Sequence, residues 1–382
     1  MSVWQRLLAL APLLLFPATA PAQIIGTEAE YAVIMDHETG DILWSKNGDT
    51  PMTPASMTKM MTAYFVFDLI DQGEITLQDE MVVSDDAWRR GGFPSGTSTM
   101  GLSPKERPTV EQLLHGVIIM SGNDACIVLA EGIAGSEEAF AQQMTERAHE
   151  LGLTSVNFVN STGLEGEGHV VSAADLAELA RLTIENYPQY YDWYDDAEYT
   201  WGGFTQGNRN PLLGTMQGAD GLKTGHLDAS GYGLTGSAVR DGKRRIIVLN
   251  GTESKQARAQ EAERLMRMAF TAFETRTIQA GDKRLAELDV WMGARRSVGV
   301  QLQESVDVTA HKRAFSRGTS EIVHDQLIEA PISAGDQIAT LVVTIEGKDP
   351  IELPLVASED VPRLGFVGKA IEGLSRMMDG GA

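Results

Sequence analysis

Apolar and polar residues alternate at both ends of a long helical stretch, and this placement constrains the fold more than any other feature of the chain. From Tyr31, YAVIMDHETGDILWSKN holds two alternating runs around Glu38-Thr39-Gly40, the pattern of a β-hairpin. From Gly218, GADGLKTGHLDASGYGLTGSAVRDGKRRIIVLNGT holds further apolar runs divided at Asp241-Gly242, which predicts three adjacent strands. Helical patterns fill the interval, and another, AQEAERLMRMAFTAFE, follows the strands. Strands, helices, strands and a helix in that order predict one α+β domain: an antiparallel sheet with a helical subdomain.

The helical interval has internal punctuation. PASMTKMMTAYFVF starts at Pro54 and reads as a helix N-terminus leading into an apolar run. TVEQLLHGVIIMSGNDACIVLAEGIAG is two apolar helices broken at Ser121-Gly122-Asn123. SAADLAELARLTIENYP is a helix with Ser172 as N-cap and Pro188 as its stop. The polar, Gly-rich SDDAWRRGGFPSGTSTMGLSPKERP reads as loop with little core content. The α+β domain is expected over residues 23–276. From Thr277 helical periodicity gives way to short alternating segments, which predicts a small all-β domain over 277–358. Residues 359–382 predict an amphipathic C-terminal helix, with Val367, Ala370, Ile371, Leu374 and Met378 opposite Lys369, Glu372 and Arg376. Such a helix either packs on the β domain or lies in a membrane interface.

Composition narrows the function classes. A net charge of −22 over 382 residues excludes nucleic acid as a partner, because phosphate binding needs a basic surface. Residues 1–22 have Arg6, an apolar run from Leu7 to Phe16 and small residues at Ala20-Pro21-Ala22, the pattern of a secretory leader. One cysteine, Cys126, excludes an internal disulfide, and its apolar helical setting predicts a buried, inert thiol. The seven histidines are scattered without a ligand spacing, so no metal site and no cofactor are expected.

Three short motifs carry the chemistry. Ser56-Met57-Thr58-Lys59 opens an apolar helix, Ser121-Gly122-Asn123 breaks two helices, and Lys223-Thr224-Gly225 leads into a strand. Ser-x-x-Lys and Ser-x-Asn are common strings alone and Lys-Thr-Gly is rarer; the force lies in their combination at element edges. A lysine beside a helix N-terminus is disfavoured by the macrodipole. The bland alternative is an N-cap serine with a surface lysine. The placement becomes useful if the amine must shed its proton and act as base for the Ser56 hydroxyl. Lys223 adds positive charge that depresses Lys59 and attracts an anionic group. Ser121 is suited to pass a proton, Asn123 to orient an amide, and backbone N–H groups at Ser56 and near His226 to stabilise an oxyanion.

PASMTKMMT, SGNDAC, GLKTGH and the preceding GNRNPLL, in this order, resemble the penicillin-recognising serine D-alanyl-D-alanine carboxypeptidases, the low-molecular-mass penicillin-binding proteins of the type-5 group. The resemblance runs from about Glu28 to the C-terminus. It implies a β-lactamase/transpeptidase-like fold and a periplasmic enzyme that trims peptidoglycan stem peptides. β-Lactams are implied as covalent inhibitors, and the C-terminal helix as a point of peripheral contact with the inner membrane. By resemblance Ser56 is the nucleophile, Lys59 its base and Ser121 part of the proton path. Asn123, Lys223, Thr224, Gly225, His226 and Arg258 bind substrate, Arg258 near its terminal carboxylate. From the residues alone Arg258 reads as a solvated helix position. The chain departs from the family where Glu165 follows Gly-Leu in place of an aspartate, with no histidine before that pair. A β-lactamase and a non-catalytic penicillin-sensing protein are the alternatives.

Overall fold

The computed structural model describes residues 26–281, 284–325 and 327–365. The expected leader and residues 366–382 of the expected C-terminal helix lie outside the described residues; residues 359–365, expected to begin that helix, are not helical, because Val361 and Arg363 form isolated bridges with Ile332 and Gly293.

The two strand-rich ends of the first region meet in one sheet. Strands β1 (Tyr31–Asp36) and β2 (Ile42–Lys46) form the expected hairpin. Strands β5 (Ala219–Leu227), β6 (Gly231–Arg240) and β7 (Lys243–Thr252) join them in the order β2-β1-β7-β6-β5. All pairings are antiparallel, and β1 lies against β7 with Ala32 opposite Leu249 and Ile34 opposite Ile247. Strand alternation then sorts side chains to two faces. Val33, Met35, Ile246 and Val248 enter the core of the helical lobe. Ala32, Ile34, Ile247 and Leu249 pack instead against Ala262, Leu265, Met266 and Ala269 of helix α8 (Lys255–Thr271). Both faces are covered, which is why β1 reads as a nearly unbroken apolar run.

The helical lobe is built on α1 (Lys59–Asp71), buried from Lys59 through Leu69. A helix apolar on all sides belongs at the centre of a lobe. Around it lie α3 (Val110–His115), α4 (Asn123–Ala134), α5 (Glu137–Glu150) and α6 (Ala173–Asn186). A short helix α7 (Pro188–Tyr191) and the hairpin of β3 (Glu198–Trp201) and β4 (Phe204–Gly207) complete it.

The Gly-rich segment expected to be loop is partly core. It contains α2 (Asp85–Gly91), whose N-cap Ser84 accepts from the Ala87 N–H at 2.9 Å. Ala87, Met100 and Leu102 are buried. The ordering force is a distant carboxylate. Asp124, fully buried at the start of α4, accepts from Thr99 Oγ1 at 2.6 Å and from the backbone N–H groups of Met100, Gly101 and Leu102 at 2.8 to 3.0 Å. No local pattern announces such a contact.

Beyond α8 the chain turns to β structure. Strand β8 (Phe273–Ile278) pairs with β11 (Val306–His311). Strands β9 (Ala286–Trp291), β10 (Ser297–Leu302), β12 (Thr319–Val323), β13 (Ile328–Glu329), β14 (Gln337–Thr344) and β15 (Ile351–Ala357) form a second sheet, ordered β12-β14-β15-β10-β9-β13. Its core is separate, centred on Val300, Leu341 and Leu355. Ion pairs tie it to the first domain: Lys243 to Asp307 at 2.7 Å and Lys348 to Asp41 at 2.5 Å.

Replacing Asp124 with alanine should strand three buried N–H groups and cost about 3 kcal/mol. Urea denaturation should show that loss. Hydrogen exchange should quicken first at residues 100–102, the segment whose amides Asp124 holds.

Candidate active site

Ser56 does not cap a helix. Ala55 takes φ +51°, and Ala55–Thr58 form one 3₁₀ turn before α1 begins at Lys59, with no side-chain cap at either N-terminus. The turn is clamped by two glycines. A Cβ on Gly163 would lie 1.9 Å from the Ala55 carbonyl oxygen, and one on Gly225 would lie 2.6 Å from that of Pro54. These close approaches press Ser56 between β5 and the loop before α6.

The Lys59 amine meets three oxygens: Ser56 Oγ at 3.1 Å, Asn123 Oδ1 at 2.7 Å and the Thr162 carbonyl at 2.5 Å. Two of these, the amide and backbone oxygens, only accept; the hydroxyl also donates. A neutral amine has two hydrogens and one lone pair. It satisfies the two pure acceptors and turns its lone pair to the Ser56 hydroxyl. Burial is the main force lowering the Lys59 pKa, to about 8, and Arg209 is the leading cation acting the same way. The lysine is fully enclosed, not on the surface.

Each acceptor is held from behind. Asn123 Nδ2 donates to Thr97 Oγ1 at 2.9 Å, which fixes its oxygen toward Lys59. Asn160 Oδ1 accepts from the N–H groups of Thr162 and Gly163 at 3.2 and 2.7 Å, an Asx turn that aims the Thr162 carbonyl. Glu137, buried and paired with Arg90, accepts from the Ser161 N–H and hydroxyl at 3.1 and 2.8 Å. His169 braces the Ser56 turn. Its Nδ1 accepts from the Val159 N–H at 3.1 Å, so Nε2 carries the proton donated to Thr58 Oγ1 at 2.8 Å. Burial, helped by Lys59, lowers its pKa to about 4 and keeps it neutral.

Ser121 ends α3's continuation in the left-handed conformation, φ +60°, although the adjacent Gly122 is the residue that ordinarily takes it. Its buried hydroxyl has no protein partner. Strand β5 is the outer strand of the five-stranded sheet, so one row of its backbone groups is free to pair with an extended ligand. A cleft of about 460 Å³ runs along it, lined by Ser56, Ser98, Ser121, Arg209, Thr224, Gly225, His226, Tyr232, Lys255 and Arg258. Lys59, Asn123 and Lys223 stand buried beside these residues rather than on the cleft wall. Burial and the Lys59 charge push the Lys223 pKa well down. His226 stacks on Tyr232 with ring centroids 3.7 Å apart.

The structure gathers all nine residues singled out in the sequence at this cleft or against it. Arg258 is not a solvated helix residue: it is 7% exposed, its Nε has no partner, and its guanidinium lies 5.9 Å from the Tyr232 ring. Sequence reasoning missed Arg209, although it lies in the GNRNPLL string. Neutral groups alone hold it, Ser98 Oγ at 2.5 Å and Gln206 Oε1 at 3.4 Å. Glu165 is exposed and does not line the cleft. Cys126 is buried and its thiol is pushed up to about 12 by burial, the inert state expected. Among the described residues no group of histidine, cysteine or carboxylate side chains is placed to hold a metal.

The family description "D-alanyl-D-alanine carboxypeptidase" matches residues 17–254. The chain belongs to that family. Residues 273–363 match the C-terminal domain of penicillin-binding protein 5. The D-alanyl-D-alanine carboxypeptidase DacF of Bacillus subtilis is 34% identical over 345 residues, covering 89% of this chain and 87% of that protein. The crystal structure of penicillin-binding protein 5 from Haemophilus influenzae superposes with a TM-score of 0.73 at 32% identity, covering 88% of this chain and 98% of that one. The ampicillin-bound penicillin-binding protein D2 of Listeria monocytogenes, 30% identical, superposes with a TM-score of 0.58 over 65% of this chain and 99% of its own. The mixed α+β region and the all-β C-terminal domain of this carboxypeptidase family are thus both present.

The Lys59 amine should titrate with a midpoint near 8, losing its proton as pH rises through that value. NMR with 13Cε-labelled lysine, assigned by difference against Lys59→Arg, reads this directly. Arg209→Gln removes a repelling cation, so the ammonium form is favoured and the midpoint should move upward.

Proposed function

We propose that the chain is a serine-type D-Ala-D-Ala carboxypeptidase that removes the terminal D-alanine of peptidoglycan stem pentapeptides. The observation that carries this reading is the buried Lys59 amine 3.1 Å from Ser56 Oγ, its pKa lowered to about 8 so that its neutral form takes the hydroxyl proton. Ser56 Oγ attacks the carbonyl of the penultimate residue while its proton passes to Lys59 Nζ. Backbone N–H groups at Ser56 and on β5 near His226 receive the negative charge on the carbonyl oxygen. The C–N bond then breaks, and the proton moves from Lys59 through the unpartnered Ser121 hydroxyl to the leaving amine. Water attacks the Ser56 ester with Lys59, neutral again, accepting its proton. The Ser56 oxygen leaves and takes that proton back. Asn123, Lys223 and the edge of Thr224, Gly225 and His226 align the substrate, and Arg258 binds the terminal carboxylate.

β-Lactams enter the same path as acylating inhibitors. No carboxylate lines the cleft among the described residues, which favours a carboxypeptidase over an enzyme that hydrolyses β-lactams with a carboxylate-activated water.

The leader at residues 1–22 supports export to the periplasm, and the amphipathic pattern of 359–382 supports peripheral contact with the inner membrane. Among the described residues no helix is long and apolar enough to cross a membrane.

Intact-mass analysis after penicillin treatment, followed by peptide mapping, should place one adduct on the Ser56 peptide. Lys59→Arg should abolish it while the fold is kept, since arginine does not become neutral in a protein. An adduct on Ser121, or near-normal labelling of Lys59→Arg, contradicts these roles.

Arg258→Ala should weaken transition-state binding of a pentapeptide by about 2–3 kcal/mol. Amidating the peptide's C-terminus should weaken the wild-type enzyme similarly. The two changes remove one interaction, so their effects on kcat/KM should not add. Fully additive losses assign carboxylate reading to another residue.

A further inference from the structure

The cleft carries more positive charge than one terminal carboxylate uses. Arg258 is buried and lines the cleft. Lys255 is different. It is the first residue of α8, exposed, and one helical turn before Arg258, so the two share a face at the cleft wall. Farther along the same helix Arg264 pairs with Glu261, and Arg267 with Glu263. Lys255 has no acidic partner within 4.0 Å among the described residues. Ser254 caps the 17-residue helix through the Ala257 N–H, so the positive end of the helix dipole adds to the ammonium at this wall. Arg258, 7% exposed with Nε unpartnered, marks this wall as one built to meet an anion, the role given above to the terminal carboxylate.

The rest of the molecule opposes anionic ligands, because the chain carries a net charge of −22. An anionic substrate is repelled at long range and drawn in only where cations face the cleft. We propose that Lys255 is a specificity residue favouring stem peptides that carry side-chain carboxylates in addition to the C-terminal one; this rests on the carboxypeptidase reading above. Its ammonium sits on a flexible exposed stem and acts through solvent. The attraction is therefore a screened Coulomb effect on substrate capture, with no bond made or broken by Lys255.

Two pentapeptides ending in free D-Ala-D-Ala test this, one with its side-chain carboxylates free and one with them amidated. At low ionic strength the wild-type enzyme should favour the acid form roughly threefold to tenfold in kcat/KM, with kcat little changed. Lys255→Met should abolish the preference, Lys255→Arg should keep it, and about 0.5 M NaCl should collapse it. Absence of a preference in the wild type overturns the proposal. So does a preference that survives in Lys255→Met, or a Lys255→Met loss equal for both peptides at every salt concentration, which marks a packing role. Equal hydrolysis of the two peptides overturns the role of Lys255 alone. Hydrolysis of neither overturns the carboxypeptidase reading with it.

Discussion

A primary amine is held out of water by three oxygens, and the rest of the first domain is arranged to keep it there. Lys59 begins the central helix α1, where the dipole disfavours a cation, and it is almost completely enclosed. Taking a charged amine out of water is costly, so burial lowers the pKa to about 8 and the amine sheds its proton above that pH. Neutrality then dictates hydrogen bonding. Asn123 Oδ1 and the Thr162 carbonyl occupy the two N–H bonds, and the lone pair is left for Ser56. The arrangement makes a poor surface lysine into a base.

Such a cage depends on groups that never touch the cleft. Asp124 gathers four donors and orders the segment that carries Ser98 and Thr97; Thr97 in turn orients Asn123. Glu137 holds Ser161, and Asn160 holds Thr162 and Gly163. Buried carboxylates are expensive unless every oxygen is satisfied, and both of these accept several hydrogen bonds. They trade solvation for position. His169 adds a neutral contact to Thr58, its single proton placed by the Val159 N–H. These residues restrain the loops on either side of Ser56, where loops alone would leave a reactive hydroxyl poorly aimed.

Electrostatics divide the molecule into an acidic body and a cationic cleft. Arg258 is buried and Arg209 is exposed at the cleft, and neither has an acidic partner within 4.0 Å among the described residues. Unpaired buried cations are destabilising in the free protein. They are sensible where an anion completes them, at the unpaired edge of β5, where backbone groups also await a partner.

Much of this was legible in the primary structure because the signals are local. The short apolar runs YAVIMD and IIVLN, the helical spacing of α8 and the break at Ser121-Gly122-Asn123 each act over a few residues, and they determined the α+β architecture. The three motifs named Ser56, Lys59, Ser121, Asn123 and Lys223 as chemistry. Tertiary structure decided what depends on residues far apart in the chain. It turned the supposed loop around Met100 into core through a carboxylate 24 positions away, buried Arg258 on a helix that reads as solvated, and brought Arg209 to the cleft through Ser98, 111 positions distant. Above all it decided the charge of Lys59. Sequence places an amine near a hydroxyl, but only packing determines how much water that amine loses, and desolvation sets its pKa.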